Sequence, residues 1–216
     1  LCDSHPDASV YIMYGQTEAT ARLSYLPPTL LKTKLGSIGR GIEGVELKVV
    51  NETNQEVGLG EVGEIIARGK NISPGYLNEP EVNAEKFVGG YLRTGDMATI
   101  DEDGYIYIVD RKSDFVKSYG NRVSSQEVEA CIMEIKEVVA VAVVGVPDPL
   151  RGEAIRAFVV LRSNAKITEN AVIDHCKQRL ARYMIPKNIF FIKNLPLNQH
   201  GKVVKKELKK ESYHEK

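Results

Sequence analysis

RTGDMATIDEDGYIYIVDRKSDFVKSYG, from Arg93 to Gly120, sets the organisation of the chain. It contains a carboxylate directly after a glycine (Asp96), a tight turn (Asp101-Glu-Asp-Gly104) and an alternating run, Tyr105 to Val109, of the kind that forms a half-buried strand. A charged break follows at Asp110, Arg111, Lys112 and Ser113, and it reads as a hinge. The charge distribution supports that reading. Residues 1–110 hold 9 Lys and Arg against 17 Asp and Glu, net −8, whereas 111–216 hold 20 against 12, net +8. The formal net charge of zero therefore hides two oppositely charged parts, and the chain is expected to divide into 1–110 and 111–216.

With 43% hydrophobic and 27% charged residues over 216 positions, the chain has enough apolar matter for one or two domains with real cores. No run approaches the roughly 18 apolar residues of a membrane span, so no transmembrane segment is expected. The start, LCDSHPDASV, has neither a basic n-region nor an apolar h-region. The three cysteines, Cys2, Cys131 and Cys176, are odd in number and lack metal-ligand spacing, which argues against a disulfide framework or a zinc site. A reducing, cytoplasmic setting is the natural expectation. Ser9 to Tyr14 reads as a buried strand whose partners are expected from preceding sequence, so the chain looks like the C-terminal piece of a longer protein.

Working outward, the first strand ends in Gly15-Gln-Thr-Glu18, a small turn bearing a hydroxyl and a carboxylate at the kind of strand end where open α/β sheets bind ligands. From Gly36 to Gly69, glycines bracket the runs Val45 to Val50 and Glu64 to Ala67, the spacing of a β meander or small barrel. A short helix is expected from Pro80, stopped by Gly89-Gly90. Beyond the hinge, Asp114 to Lys117 and Asn121 to Val123 read as a hairpin around Tyr119-Gly120. Ser124 and Glu127 then make a capping box, with Val123 and Val128 in the staple positions. Val128, Cys131, Ile132 and Ile135 share one apolar face, which makes Cys131 a core residue.

Two valine-rich runs, Val138 to Val144 and Ala154 to Leu161, flank the turn Pro147-Asp-Pro-Leu-Arg-Gly152 and read as adjacent strands. A second helix is expected from Thr168 to about Arg182, then a strand from Ile189 to Ile192. The pattern is β-β-α-β, and the fold class is α+β: a glycine-punctuated β-rich part followed by a small α+β domain. The tail, Leu195 to Val204, leads into a lysine-rich helix. Lys202 follows Gly201 on a flexible stretch, where a solvated basic surface is the plain alternative to a functional role.

Four segments in this order, Tyr14-Gly-Gln-Thr-Glu18, Tyr91-Leu-Arg-Thr-Gly-Asp96, Val109-Asp-Arg-Lys-Ser-Asp114 with Lys-Ser-Tyr-Gly120, and Pro196-Leu-Asn-Gln-His-Gly-Lys202, resemble the acyl-adenylate-forming superfamily. That superfamily includes acyl-CoA synthetases, peptide-synthetase adenylation domains and firefly-type luciferases. The resemblance implies that 1–110 is the end of a large N-terminal adenylation domain and 111–216 a mobile C-terminal lid. It implies an acid–thiol ligase: a carboxylic acid and MgATP give an acyl-adenylate, and a thiol, CoA, then gives a thioester and AMP.

The same resemblance assigns roles by position. Tyr14 corresponds to the aromatic that stacks on adenine, in a nucleotide-binding segment with Gly15 and Gln16. Thr17 resembles the hydroxyl that meets the α-phosphate, and Glu18 the carboxylate that helps hold Mg²⁺. Asp96 resembles the acceptor of both ribose hydroxyls, Ile108 a side chain beside adenine, and Arg111 a guanidinium reaching ribose and phosphate. Lys202 resembles the lysine of the first half-reaction. Lys117, Ser118, Tyr119, Gly120 and Arg122 resemble the face presented to the thiol, with the basic second part suited to anionic CoA. Ser113 stands where the family has Asp or Lys, and Tyr119 where small residues are common. The family's phosphate-gripping Ser/Thr/Gly loop is absent, so the chain alone is not expected to form acyl-adenylates.

Two other readings compete. A carrier-protein adenylation domain needs a phosphopantetheinyl carrier as partner. A non-catalytic module would use the basic part to bind a partner, but nucleic acid is not expected because the acidic first part repels a polyanion and no aromatic-interleaved basic face is evident.

Overall fold

In the computed structural model, which describes residues 8–210, the chain forms two compact units, one running to Lys112 and the other starting at Ser113. Both are mixed α and β, as the α+β expectation holds. Cys2 lies outside the described residues.

The first unit opens with β1 (Ile12–Tyr14), a 3₁₀ turn (Thr17–Ala19), β2 (Ser24–Leu26), a second 3₁₀ turn (Pro28–Leu30) and β3 (Arg40–Gly41), whose strands form an antiparallel sheet in the order β1-β2-β3. Next come β4 (Val45–Val50), β5 (Gly63–Gly69), α1 (Pro80–Lys86), β6 (Phe87–Val88), β7 (Tyr91–Ile100) and β8 (Ile106–Arg111). They form an antiparallel meander, β4-β5-β7-β6, with β8 also on β7. Ile65, Ala67, Leu92, Ala98 and Ile106 from these strands pack with Tyr14, Ala19 and Leu23 from the first segment in one core.

Several expectations are corrected here. The first strand is only three residues long, and Ile12 and Met13 are exposed while Tyr14 alone is buried; Tyr14 joins the core of this unit and Ile12 does not. The helix from Pro80 ends at Lys86, because Phe87 and Val88 pair with Leu92 and Tyr91. Gly89 and Gly90 are the two left-handed residues of that hairpin turn rather than a helix stop. The charged break at Asp110 is not a break in the strand: β8 continues through Arg111, with Asp110 paired to Met97 and Arg111 to Asp96.

The second unit contains β9 (Val116–Ser118), β10 (Asn121–Val123), α2 (Ser125–Met133), β11 (Val138–Asp148), β12 (Gly152–Leu161), α3 (Glu169–Lys177), a 3₁₀ turn (Arg182–Met184), β13 (Asn188–Phe191) and α4 (Lys205–Leu208). Its sheet runs β10-β9-β12-β11, with β13 parallel to β12. Helices α2 and α3 cover one face with Val128, Ile132, Val172 and Cys176. Leu208 and the strand residues Ala142, Val144 and Phe158 pack on the other. Cover on both faces explains why residues 142–146 are continuously buried instead of alternating.

Ser124 Oγ accepts from the Glu127 N–H at 3.3 Å, so the expected cap forms. Thr168 caps α3 in the same way, but that helix ends at Lys177, five residues before the expected Arg182. Cys176 O there accepts both Arg179 N and Leu180 N, tightening the last turn, and Ala181 is extended. The tail helix has only four described residues, and it is more than a solvated basic surface: Leu208 is fully buried.

Candidate nucleotide site and two lysine-bearing turns

In the first unit, β1 delivers the chain into the Gly15–Glu18 turn. A Cβ on Gly15 would lie 2.2 Å from Ala21 O and 2.9 Å from Arg22 Cα, so only glycine lets the chain cross itself here. Thr20 and Ala21 close the loop with φ of 46° and 70°, two consecutive left-handed residues that hold only under outside restraint. Asn71 supplies it. Its Nδ2 donates to Ala19 O at 3.1 Å and to Arg22 O at 3.0 Å, and its backbone carbonyl accepts from Thr20 Oγ1 at 3.2 Å.

The loop leaves Thr17 exposed and Glu18 half-buried. The Tyr76 hydroxyl donates to Glu18 Oε1. Burial opposes ionisation of Glu18, but Tyr76, its own backbone and the charges of Lys86 and Arg111 outweigh it and hold the carboxyl below the ordinary range. The Tyr76 hydroxyl is pushed up to about 12, first by that hydrogen bond and then by burial. Gln16 adds a sharper signal: its Nε2 is buried and meets no acceptor among the described residues. An orphaned buried donor is costly unless something not yet present accepts from it.

Asp96 is held from two sides. Tyr14 donates its hydroxyl to Oδ2 at 2.7 Å, and Arg111 Nε lies 3.4 Å from Oδ1. Burial pushes the Tyr14 hydroxyl far above the ordinary phenol range; the Asp96 charge adds to this, while Thr94 and Arg111 pull back. Tyr14 therefore stays a donor at any physiological pH. The residue as a whole is 9% exposed. Ile108 is half-buried against the same core, and the Arg111 side chain is exposed. The structure thus brings Tyr14, Asp96 and Arg111 into one cluster.

Of the residues read as a hinge, Asp110 is buried within β8 and Arg111 ends that strand. Lys112 is tied to the first unit by its N–H to Gly95 O at 2.8 Å and its Nζ to Glu64 Oε2 at 3.2 Å. Ser113 opens the second unit, and its Oγ donates to the adjacent Asp114 Oδ1 at 2.9 Å.

In the second unit, Tyr119 (φ 51°) and Gly120 (φ 76°) form the tip between β9 and β10. Successive left-handed residues are what a two-residue hairpin turn requires, and glycine meets the second demand without strain. Ser118 is buried, while Lys117, Tyr119, Gly120 and Arg122 are exposed. A neighbouring turn braces this tip: Tyr119 N–H donates to Arg151 O at 2.8 Å, and the Arg151 guanidinium lies 5.4 Å from the Tyr119 ring centre. Asp148 anchors that turn by accepting from Lys187 at 2.8 Å and from the N–H groups of Leu150 and Arg151 at 3.0 Å each.

Lys202 lies on a separate tight turn of the same unit. Asn198 O accepts Gly201 N at 2.9 Å, Asn198 N donates to Lys202 O at 2.9 Å, and Asn198 Oδ1 accepts Lys202 N at 3.0 Å. The backbone is fixed, and the side chain projects from an exposed residue. Lys205 roots the segment: its Nζ reaches Ser125 Oγ at 2.6 Å and Glu129 at 2.8 Å.

Sequence reasoning missed Tyr76, Asn71, Glu64 and the bracing role of Arg151. Tyr76 and Glu18 are 58 positions apart, Asn71 and Ala19 are 52 apart, and no local pattern links such partners.

A family model described as AMP-binding enzyme matches residues 2–77, and one described as AMP-binding enzyme C-terminal domain matches 127–202. The 2-succinylbenzoate–CoA ligase of Geobacillus kaustophilus is 37% identical over 201 residues, 93% of this chain and 41% of the ligase. The long-chain-fatty-acid–CoA ligase of Salmonella typhimurium is 38% identical over 199 residues, 92% of this chain and 35% of that protein. Among solved structures, O-succinylbenzoate coenzyme A synthetase from Bacillus subtilis in complex with ATP and magnesium ion superposes with a TM-score of 0.88 at 32% identity, covering 97% of this chain and 43% of that one. The chain thus spans about two fifths of the length of the relatives it matches.

Proposed function

Because this chain belongs to the AMP-binding enzymes, we propose that it supplies the nucleotide contacts and the catalytic lysine for ATP-dependent activation of a carboxylic acid, followed by thioester formation with CoA. The observation that carries this reading is the buried Asp96, held by Tyr14 and Arg111. Its carboxyl oxygens are pre-oriented acceptors suited to a vicinal diol such as ribose.

In the first step an oxygen of the acid attacks the α-phosphorus, the bond to the β-phosphate breaks, and pyrophosphate leaves. Gln16 Nε2 supplies a donor in search of an acceptor, and Thr17 an exposed hydroxyl for the α-phosphate. Lys202 supplies positive charge for the transition state. In the second step the thiol sulfur gives up its proton and attacks the acyl carbon, and the bond to the AMP phosphate breaks. Lys117, Ser118, Tyr119, Gly120 and Arg122 form the turn assigned to the thiol.

Among the described residues no group of three metal-ligating side chains occurs. Glu18 alone, kept ionised, fits Mg²⁺, which takes one or two carboxylates and completes its shell with water and phosphate oxygens. When bound, the ion would neutralise phosphate charge. The pivot between the two parts is assigned to Ser113, because Asp110, Arg111 and Lys112 are all fastened within the first unit.

The test replaces the matching region of the Geobacillus 2-succinylbenzoate–CoA ligase with this chain and measures ATP–pyrophosphate exchange and CoA thioester formation, with the chain alone as control. Exchange that Lys202→Ala abolishes, while supplied acyl-adenylate still gives thioester, supports the assignment. Exchange insensitive to Lys202→Ala refutes it. Thioester formation on a phosphopantetheinyl carrier but not on CoA would instead assign the thiol to a carrier protein.

A further inference from the structure

Strand β7, which carries Asp96, loses register with both of its neighbours at nearly the same place. Against β5 the pairs step from Glu64↔Met97 to Ile66↔Arg93, and against β8 from Met97↔Asp110 to Ala98↔Ile108. Ladder bonds fail at such irregularities, and the freed backbone groups need other partners.

Two side chains take over. Thr94 Oγ1 donates to Ile65 O at 2.7 Å and accepts from Asp96 N at 3.1 Å. Glu64, only 5% exposed, accepts the Gly95 N–H on Oε1 at 3.2 Å. Its Oε2 receives Arg93 Nη2 at 2.7 Å, Arg93 Nε at 3.2 Å and Lys112 Nζ at 3.2 Å. Lys112 N–H closes the loop on Gly95 O at 2.8 Å. Gly95 precedes Asp96, Lys112 follows Arg111, and Asp96 and Arg111 face each other across the strands. One buried carboxylate therefore grips the chain neighbours of both members of the pair.

We propose that Glu64 is a positioning residue for the nucleotide site, acting through Gly95 and Lys112 to fix the directions in which Asp96 and Arg111 meet a ribose diol. The inference rests on the ribose reading of Asp96. Glu64 is equipped for it: burial opposes its charge, but Arg93 and Lys112 outweigh burial and keep it ionised. A carboxylate serving Arg93 alone would have no need to divide its oxygens between a backbone N–H in β7 and the ammonium of Lys112, the residue just past the end of β8.

Glu64→Gln preserves size but turns an amide, without charge, towards Arg93 and Lys112. The test measures binding of AMP and of 2′,3′-dideoxy-AMP to the full chain by calorimetry, with Asp96→Ala as reference. Wild type is expected to prefer AMP, Asp96→Ala to lose that preference, and Glu64→Gln to reduce it about tenfold with dideoxy-AMP affinity unchanged, the effect of one weakened charge-assisted bond. General destabilisation would lower both affinities together and leave the ratio intact. If Glu64→Gln does not fold, Lys112→Met, which leaves Glu64 paired with Arg93, carries the same comparison. Full preference in a folded variant, with Asp96→Ala deficient, overturns the inference and leaves the ribose reading standing. No preference in wild type removes both.

Discussion

Tyr14 and Asp96, 82 positions apart, share a 2.7 Å hydrogen bond from the phenol to Oδ2. The bond joins the first strand of the chain to the irregular part of β7, so the two motifs that resemble nucleotide-binding segments meet through their own side chains. A buried carboxylate that loses such a donor keeps the desolvation penalty without the compensation.

Tyr14→Phe is accordingly expected to lower the stability of the first unit by about 1–3 kcal/mol, measured by urea denaturation at neutral pH. The pH dependence has a definite sign. Tyr14 is held far above the ordinary range by burial in the folded state, while an unfolded tyrosine titrates at about 10. Above that value the unfolded chain gives up a proton that the folded chain keeps, so stability falls as pH rises. Tyr14→Phe should remove this share of the alkaline loss.

Gly15→Ala places a methyl 2.2 Å from a backbone oxygen, and backbone cannot yield as a side chain does. A loss on the order of 2–4 kcal/mol is expected, together with faster proteolysis of the 15–21 loop. An unchanged denaturation midpoint would mean that the loop has an alternative path.

Asp148 tests the brace beneath the Tyr119 tip. Its hydrogen bond to Lys187, above all, and the N–H groups of Leu150 and Arg151 hold the carboxyl down to about 2. The unfolded group titrates at about 3.9. Its contribution is complete above that value and is lost as pH falls towards about 2. Asp148→Asn should flatten this part of the acid unfolding curve of the second unit, and should broaden the amide resonances of Tyr119 and Gly120.

Leu208 is fully buried near the end of the described chain, against Phe158 and Val144. Leu208→Ala is expected to destabilise the second unit by about 2–5 kcal/mol. Lys202→Ala, at an exposed turn, should change stability by no more than about 0.5 kcal/mol. Thermal unfolding of the two variants separates an exposed turn lysine that carries little stability from a tail leucine held by packing.

The features legible in the sequence are those whose causes lie within a few residues. Ser124 caps its helix because the hydroxyl and the Glu127 N–H are three positions apart. Tyr119-Gly120 turns the hairpin because two left-handed residues are needed there. The valine runs become strands, and the Gly15–Glu18 and Asn198–Lys202 segments become turns, because those choices follow from spacing and backbone freedom. Tertiary structure alone decided the rest. Strand β8 outlasts its charged sequence because β7 supplies partners for Asp110 and Arg111, and α3 stops early as Cys176 O takes a second, tighter-turn bond from Arg179 N and the chain turns extended at Ala181. Glu64, Tyr76 and Tyr14 meet Gly95, Glu18 and Asp96 across 31, 58 and 82 positions. Propensity and periodicity act along the chain; which buried charge finds which donor is settled only when packing brings distant strands together and leaves no water to serve instead.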